Sequence, residues 1–214
     1  MARTGPTFAK DRMMALTDGV IAIVITLMVL ELTIPDVSEE GLEGLWPEVR
    51  SLWREYLAYV LSFFIVGILW LYHHTTWRRI NRANGTLLFF NMVFLLAVSV
   101  TPFTSRMVAL NTDERLAAII YGSSVFLAAA CIAATFAYAS QGRRLVDDDM
   151  TAEFVQRENT MAALLMVMLA LAAFLGTFTP RATYIILGVL VTFYWVVTAL
   201  NREGVSARRP DVPS

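Results

Sequence analysis

Apolar residues gather into six runs of roughly 20 residues each, the length a helix needs to cross a hydrocarbon core at about 1.5 Å per residue. The runs lie at about 13–34, 55–74, 86–108, 116–139, 160–180 and 182–200. Single polar residues interrupt several of them, but no cluster of charges does. Most connections are short, and only Pro180 and Arg181 separate the last two runs. Pro35, Pro102 and Pro180 stand near predicted helix ends, where a missing backbone N–H costs least. No internal repeat relates the runs. The pattern predicts an all-α integral membrane protein with six transmembrane helices over residues 1–201. A short tail at 202–214 is expected to be disordered.

The first run carries more order than an anchor needs. It opens with Arg12, Asp18 and Gly19, then continues through isoleucines and leucines at helical spacing. At about 100° per residue, Arg12, Leu16, Ile23, Leu27 and Leu30 fall on one stripe. Asp18 falls about 140° away and is expected to point into the protein. A carboxylate inside a span marks a functional site or a polar network. The apolar stripe has two readings: it faces lipid or a neighbouring helix, or it lines a pore.

The second and third runs add polar groups at matching depth. Trp70, His74 and Trp77 share one helix face at i, i+4, i+7, and His73 lies beside them. With the first helix entering from one side, Asp18, His73 or His74, Trp77 and Asn91 reach similar depth. Buried polar groups need partners, and a hydrogen-bonded clamp across three helices supplies them. A metal site or a proton relay are the alternatives. Adjacent histidines point about 100° apart, so they do not chelate as an i, i+4 pair does. A proton relay through histidine and carboxylate stays open.

Composition supports the membrane assignment. Of 214 residues, 57% are hydrophobic and 16% charged, against about 25% charged in a soluble domain. A net charge of −1 gives no basis for a nucleic-acid partner. The lone Cys131 lies in an apolar run and reads as a small core residue. The first run is too long for a signal-peptide core and lacks a small-residue cleavage site, so it reads as a retained span.

Lys and Arg orient the chain. With the N-terminus inside, Arg3, Lys10, Arg12, Arg78, Arg79, Arg82, Arg143, Arg144, Arg157, Arg202, Arg208 and Arg209 face the cytoplasm. Only Arg50, Arg54, Arg106, Arg115 and Arg181 face outward. Both termini are therefore expected to be cytoplasmic. The first outer loop carries Asp36, Glu39, Glu40, Glu43, Glu48 and Glu55, either a cation-attracting vestibule or an ordinary solvated loop.

Arg12-Met13-Met14-Ala15-Leu16-Thr17-Asp18-Gly19 resembles the Arg-x-x-x-Phe-Ser-Asp-Gly signature of the endolysosomal potassium channel family. The resemblance continues from Val20 through Glu31, then through Trp70 to His74, Trp77, Asn91 and Pro102-Phe103. It covers the first three spans; the last three are generic apolar helices. Leu16 replaces an aromatic, and Thr17 replaces serine while keeping its hydroxyl.

The resemblance implies a small, six-span, potassium-permeable channel of the plasma membrane, with the first helix of each subunit lining the central pore of a homotetramer. By position, Ile23, Leu27 and Leu30 correspond to the family's hydrophobic constriction, and Thr26 to a hydroxyl layer linked to ion preference. The helical stripe contains the same three apolar residues. Arg12, Thr17, Asp18, Gly19, His73, His74, Trp77 and Asn91 make up the signature and the clamp. No re-entrant carbonyl filter is expected, because Gly176-Thr177-Phe178-Thr179-Pro180 reads as a helix end. Glu31 is either a cation vestibule residue or a side chain snorkelling to the interface. The implied partners are further copies of the chain, the bilayer and monovalent cations, with permeant potassium and no cofactor.

Three other classes compete. A secondary transporter of a monovalent cation lacks support from a repeat or from paired broken helices. An intramembrane protease would use Gly122-Ser123-Ser124, but Ser124 lies roughly 10 Å in depth from the histidines. A purely structural membrane protein is the third.

Overall fold

The computed structural model describes residues 10–33, 42–143, 145–147 and 150–206, with backbone alone for 42–44, 143 and 197–206. Eight α-helices follow in order: α1 Lys10–Leu27, α2 Leu42–Ser51, α3 Trp53–Arg78, α4 Gly85–Ser99, α5 Thr101–Leu110, α6 Arg115–Ser140, α7 Ala152–Gly176 and α8 Pro180–Ser206. A 3-10 segment, Met28–Glu31, extends α1.

Among the described residues, five stretches are long and apolar enough to cross a membrane: Lys10–Glu31, Trp53–Arg78, Gly85–Leu110, Arg115–Ser140 and Ala152–Gly176. The sixth expected run falls on α8, whose Pro180–Val196 portion is a shorter apolar helix. The chain is a multi-pass membrane protein. The helix α8 continues past the expected end of the membrane domain at residue 201, and 207–214 lie outside the described residues.

α6 is the packing centre, touching α3, α4, α5, α7 and α8. Its buried positions are rich in small residues, including Ala117, Ala118, Gly122, Ala128 and Ala129. Small side chains let helix backbones approach closely where no water-driven force holds helices together. One core cluster spans the middle of the bundle around Val66, Phe94, Val98, Tyr121 and Ile132. A second, around Met13, Trp77, Ile80, Leu87 and Phe136, closes the end that carries the start of α1. There, an antiparallel bridge pairs Ile80 with Val146. Gly142, at φ 64°, turns the chain out of α6 toward that bridge in a conformation that favours glycine.

Three departures from the sequence reading have local causes. The third span is broken at Val100 between α4 and α5, with Pro102 in the first turn of α5. Pro102 therefore sits inside the span, where it removes an N–H and disfavours helix before it. The first span tightens to 3-10 geometry over Met28–Glu31, a common way for a helix to finish. The first outer loop contains a helix, α2, where only loop was expected. At the α7–α8 turn, a Cβ on Gly176 would collide with the Thr183 hydroxyl, which donates to the Ala172 carbonyl at 3.0 Å. The turn ends α7 at Gly176 and opens α8 at Pro180, so the last connection lies at 177–179 and not at the expected Pro180 and Arg181, which begin α8.

Candidate pore-lining helix and interhelical clamp

Among the described residues, α1 packs along one edge only. Met13, Thr17, Ile21, Val24 and Met28 are buried against α3, α4 and α5. The opposite arc is open in the single chain: Leu16, Ile23, Leu27 and Leu30 are exposed by 49%, 58%, 45% and 73%. Ala15, Gly19, Ala22 and Thr26 lie on the same arc and are also exposed. The predicted stripe is therefore one continuous face that the subunit itself does not cover.

Thr26 lies on this face with its hydroxyl donating to the carbonyls of Ala22 at 3.0 Å and Ile23 at 2.9 Å. Its proton is committed to its own helix, which leaves the oxygen lone pairs directed away from the backbone. Gly19 has open space around it, since a Cβ there meets nothing within 4 Å. Nothing inside the subunit requires glycine at this position. Arg12 is exposed at the start of the face.

The buried edge of α1 carries the clamp. His73 on α3 donates from Nε2 to Asn91 Oδ1 on α4 at 2.8 Å. Asn91 Nδ2 donates to the Thr17 hydroxyl on α1 at 3.1 Å. The Asn91 oxygen accepts from His73, and the tautomer with the proton on Nε2 follows from that partner. All three residues are buried. The His73 ring also stacks on Phe94 with centroids 4.8 Å apart and planes at 11°. Trp77 is buried one turn further along and contributes its ring, 5.8 Å from that of His73.

Asp18 corrects an expectation. It does not point into the packed interior; it is exposed at the margin of the open face. The packed edge of α1 is narrow, and Thr17 occupies it one residue earlier. The carboxylate is still held, since Trp70 Nε1 donates to Asp18 Oδ1 at 2.8 Å. Trp70 was not among the residues expected to bind; its matching depth and its i, i+4 spacing from His74 were the available signals. The His74 ring lies 5.7 Å from that of Trp70, and its buried Nδ1 has no hydrogen-bond partner among the described residues. The structure thus divides the expected cluster into Thr17–Asn91–His73 inside and Asp18–Trp70 at the rim. Among the described residues, no group of three or more His, Cys, Asp or Glu is placed to hold a metal.

At the other end of α1, Glu31 is not a free carboxylate. Its side chain lies 3.6 Å from Arg106 Nη1, and the same guanidinium donates to the Glu31 carbonyl. Glu55 accepts from the Thr33 backbone N–H at 3.2 Å. Of the other acidic loop residues, Glu48 lies on α2, while Asp36, Glu39, Glu40 and the Glu43 side chain lie outside the described residues.

The family model described as the endosomal/lysosomal potassium channel TMEM175 matches residues 12–102, the stretch holding α1, α3, α4 and the whole clamp. A protein of Streptomyces collinus named as a potassium channel is 29% identical over 209 residues, covering 96% of this chain and 98% of its own length. A potassium channel of Chamaesiphon minutus is 34% identical over 124 residues, covering 56% of this chain and 61% of the relative. The first three spans of this chain are thus similar to the endosomal/lysosomal potassium channel family. That family consists of ion channels, not enzymes. The crystal structure of a lysosomal potassium-selective channel TMEM175 homolog from Chamaesiphon minutus superposes with a TM-score of 0.76 at 24% identity, covering 87% of this chain and 96% of the other. The two chains share a fold. Within the family fold, the matched residues 12–102 include every clamp residue and the entire open face of α1.

Proposed function

We propose that this chain assembles as a homotetramer in the plasma membrane and forms a potassium-permeable cation channel lined by α1. In this reading six helices cross the bilayer and both termini are cytoplasmic. The observation that carries it is the chemistry of the open face of α1. That face combines Ile23, Leu27 and Leu30 with a hydroxyl, a glycine and two alanines, and a carboxylate sits at its rim. Polar groups facing hydrocarbon are costly, so a face of this kind suits protein and water better than acyl tails. The contrasting face of α7 exposes Leu164, Val167, Met168, Leu171 and Phe174, with no charge between Thr160 and Gly176.

One chain offers one such face, so closure of a symmetric conduit needs several copies around an axis. Ile23, Leu27 and Leu30 then become stacked apolar rings, and narrow apolar rings stop ions by losing water. Opening widens or rotates α1 until the rings wet. The Thr26 oxygens, with their protons tied to the helix, are available to replace part of a cation's hydration shell. Potassium sheds water more cheaply than sodium, and with no carbonyl cage around the ion the preference is modest. Gly19 and the neighbouring alanines permit close approach of adjacent copies below the constriction. The clamp holds each α1 at a fixed angle to α3 and α4. Glu31, shared with Arg106, contributes a weaker field at the outer mouth than a free carboxylate would.

The test is a reversal potential under bi-ionic potassium and sodium conditions, measured on purified protein in planar bilayers. A non-saturating, potassium-favouring current is expected. Saturating, stoichiometrically coupled flux would instead identify a transporter, and no flux would identify a scaffold.

A further inference from the structure

A cavity of about 300 Å³ opens between α3, α5, α6 and α8 at the end of the bundle away from the N-terminus. Trp53, Leu57, Leu61, Val108 and Ile185 supply much of its wall, which is almost wholly apolar. The volume lies at the lower end of the range for ligand pockets. It belongs to neither the open face of α1 nor the clamp.

Its few polar groups are arranged by depth. Arg54, in the first turn of α3, stands exposed at the mouth. Asp113, followed by Glu114, lies nearby, and its carboxylate is taken by Arg181 at 2.9 Å. About 6 Å inside the start of α8 lies Tyr184, whose buried hydroxyl has no hydrogen-bond partner among the described residues. Deeper still, Ser62 bonds to Tyr121 at 2.7 Å and to Ser105 at 2.8 Å, a network already satisfied. Gly188, about 12 Å inside α8, lines the cavity, and a Cβ there would meet nothing within 4 Å.

We infer that this cavity binds one phospholipid with an anionic headgroup: phosphate at Arg54, an ester carbonyl accepting from the Tyr184 hydroxyl, and an acyl chain in the apolar space beyond. A buried donor without an acceptor is costly, and a lipid ester supplies an acceptor at the right depth below a phosphate. The Arg54 guanidinium at the mouth favours an anionic headgroup over a zwitterionic one.

The test uses the full chain purified in detergent and titrated with dioleoylphosphatidylglycerol or dioleoylphosphatidylcholine under native mass spectrometry. The wild type is expected to retain the anionic lipid about fivefold better, the worth of one arginine near a lipid surface. Arg54→Gln, a surface change, is expected to abolish that preference while keeping the acyl chain bound. Gly188→Leu fills the cavity without a clash inside the chain and is expected to lower retention of both lipids. Unchanged retention in Gly188→Leu, or an unchanged headgroup preference in Arg54→Gln, overturns the assignment. A Gly188→Leu protein that loses subunits while keeping its lipid count also overturns it, because the cavity is then a contact between copies.

Discussion

Ile23→Asn is expected to raise the resting conductance of the reconstituted protein by about tenfold or more, with the oligomer intact. In the proposed Ile23 ring, an amide holds water where isoleucine expels it, and a tenfold change needs only about 1.4 kcal/mol off the barrier to wetting. The side chain is more than half exposed in the single subunit, so the exchange leaves the packing of α1 on α3 and α4 untouched. Single-channel or macroscopic current in a planar bilayer reads the effect. An unchanged current in a properly assembled protein would remove Ile23 from the gate.

Asn91→Leu is expected to be the most damaging single change to the fold of the clamp. Leucine has the branching and heavy-atom count of asparagine, but it leaves the His73 N–H and the Thr17 hydroxyl buried without partners. At about 1–3 kcal/mol for each orphaned group, the loss is roughly 2–6 kcal/mol, enough to deplete folded protein markedly. Thr17→Ala removes one small group and leaves only the Asn91 amide short of a partner, so it costs less, about 1–2 kcal/mol. Thermal denaturation in detergent ranks the two. If Asn91→Leu melted at the wild-type temperature, the three-helix clamp would not be a stabilising device.

The spans were legible because hydrocarbon imposes one length and one polarity on every helix that crosses it. The 13–34 and 116–139 runs map onto α1 with its 3-10 extension and onto α6, with differences of a few residues at their ends. His73 and Asn91 are matched by depth because polar residues are rare in spans, and each must find a partner at its own level, whereas Thr17 enters only through its place in the signature. Depth alone does not give the angle around a helix. Asp18 was placed inside on the assumption that the side opposite the apolar stripe is the packed one, whereas α1 packs along an edge and Asp18 meets Trp70 at the rim. The Arg106–Glu31 contact depends on the break at Val100, which carries α5 to the end of α1, and no periodicity reports such a break. The Ser62–Ser105–Tyr121 network is not legible in the sequence for the same reason, because it joins residues on three helices whose relative rotation the sequence leaves free.

The claim that several copies of α1 meet at one axis is tested most directly by a cysteine at Leu27 in a Cys131→Ala background. Under oxidant, Leu27→Cys is predicted to form disulfide-linked dimers and to lose its current, with reductant restoring both, while Leu171→Cys on the face of α7 does neither. A Leu27→Cys protein that stays uncrosslinked and conducts normally under oxidant would contradict the account, because the apolar face of α1 would then point to lipid and not to its own copies.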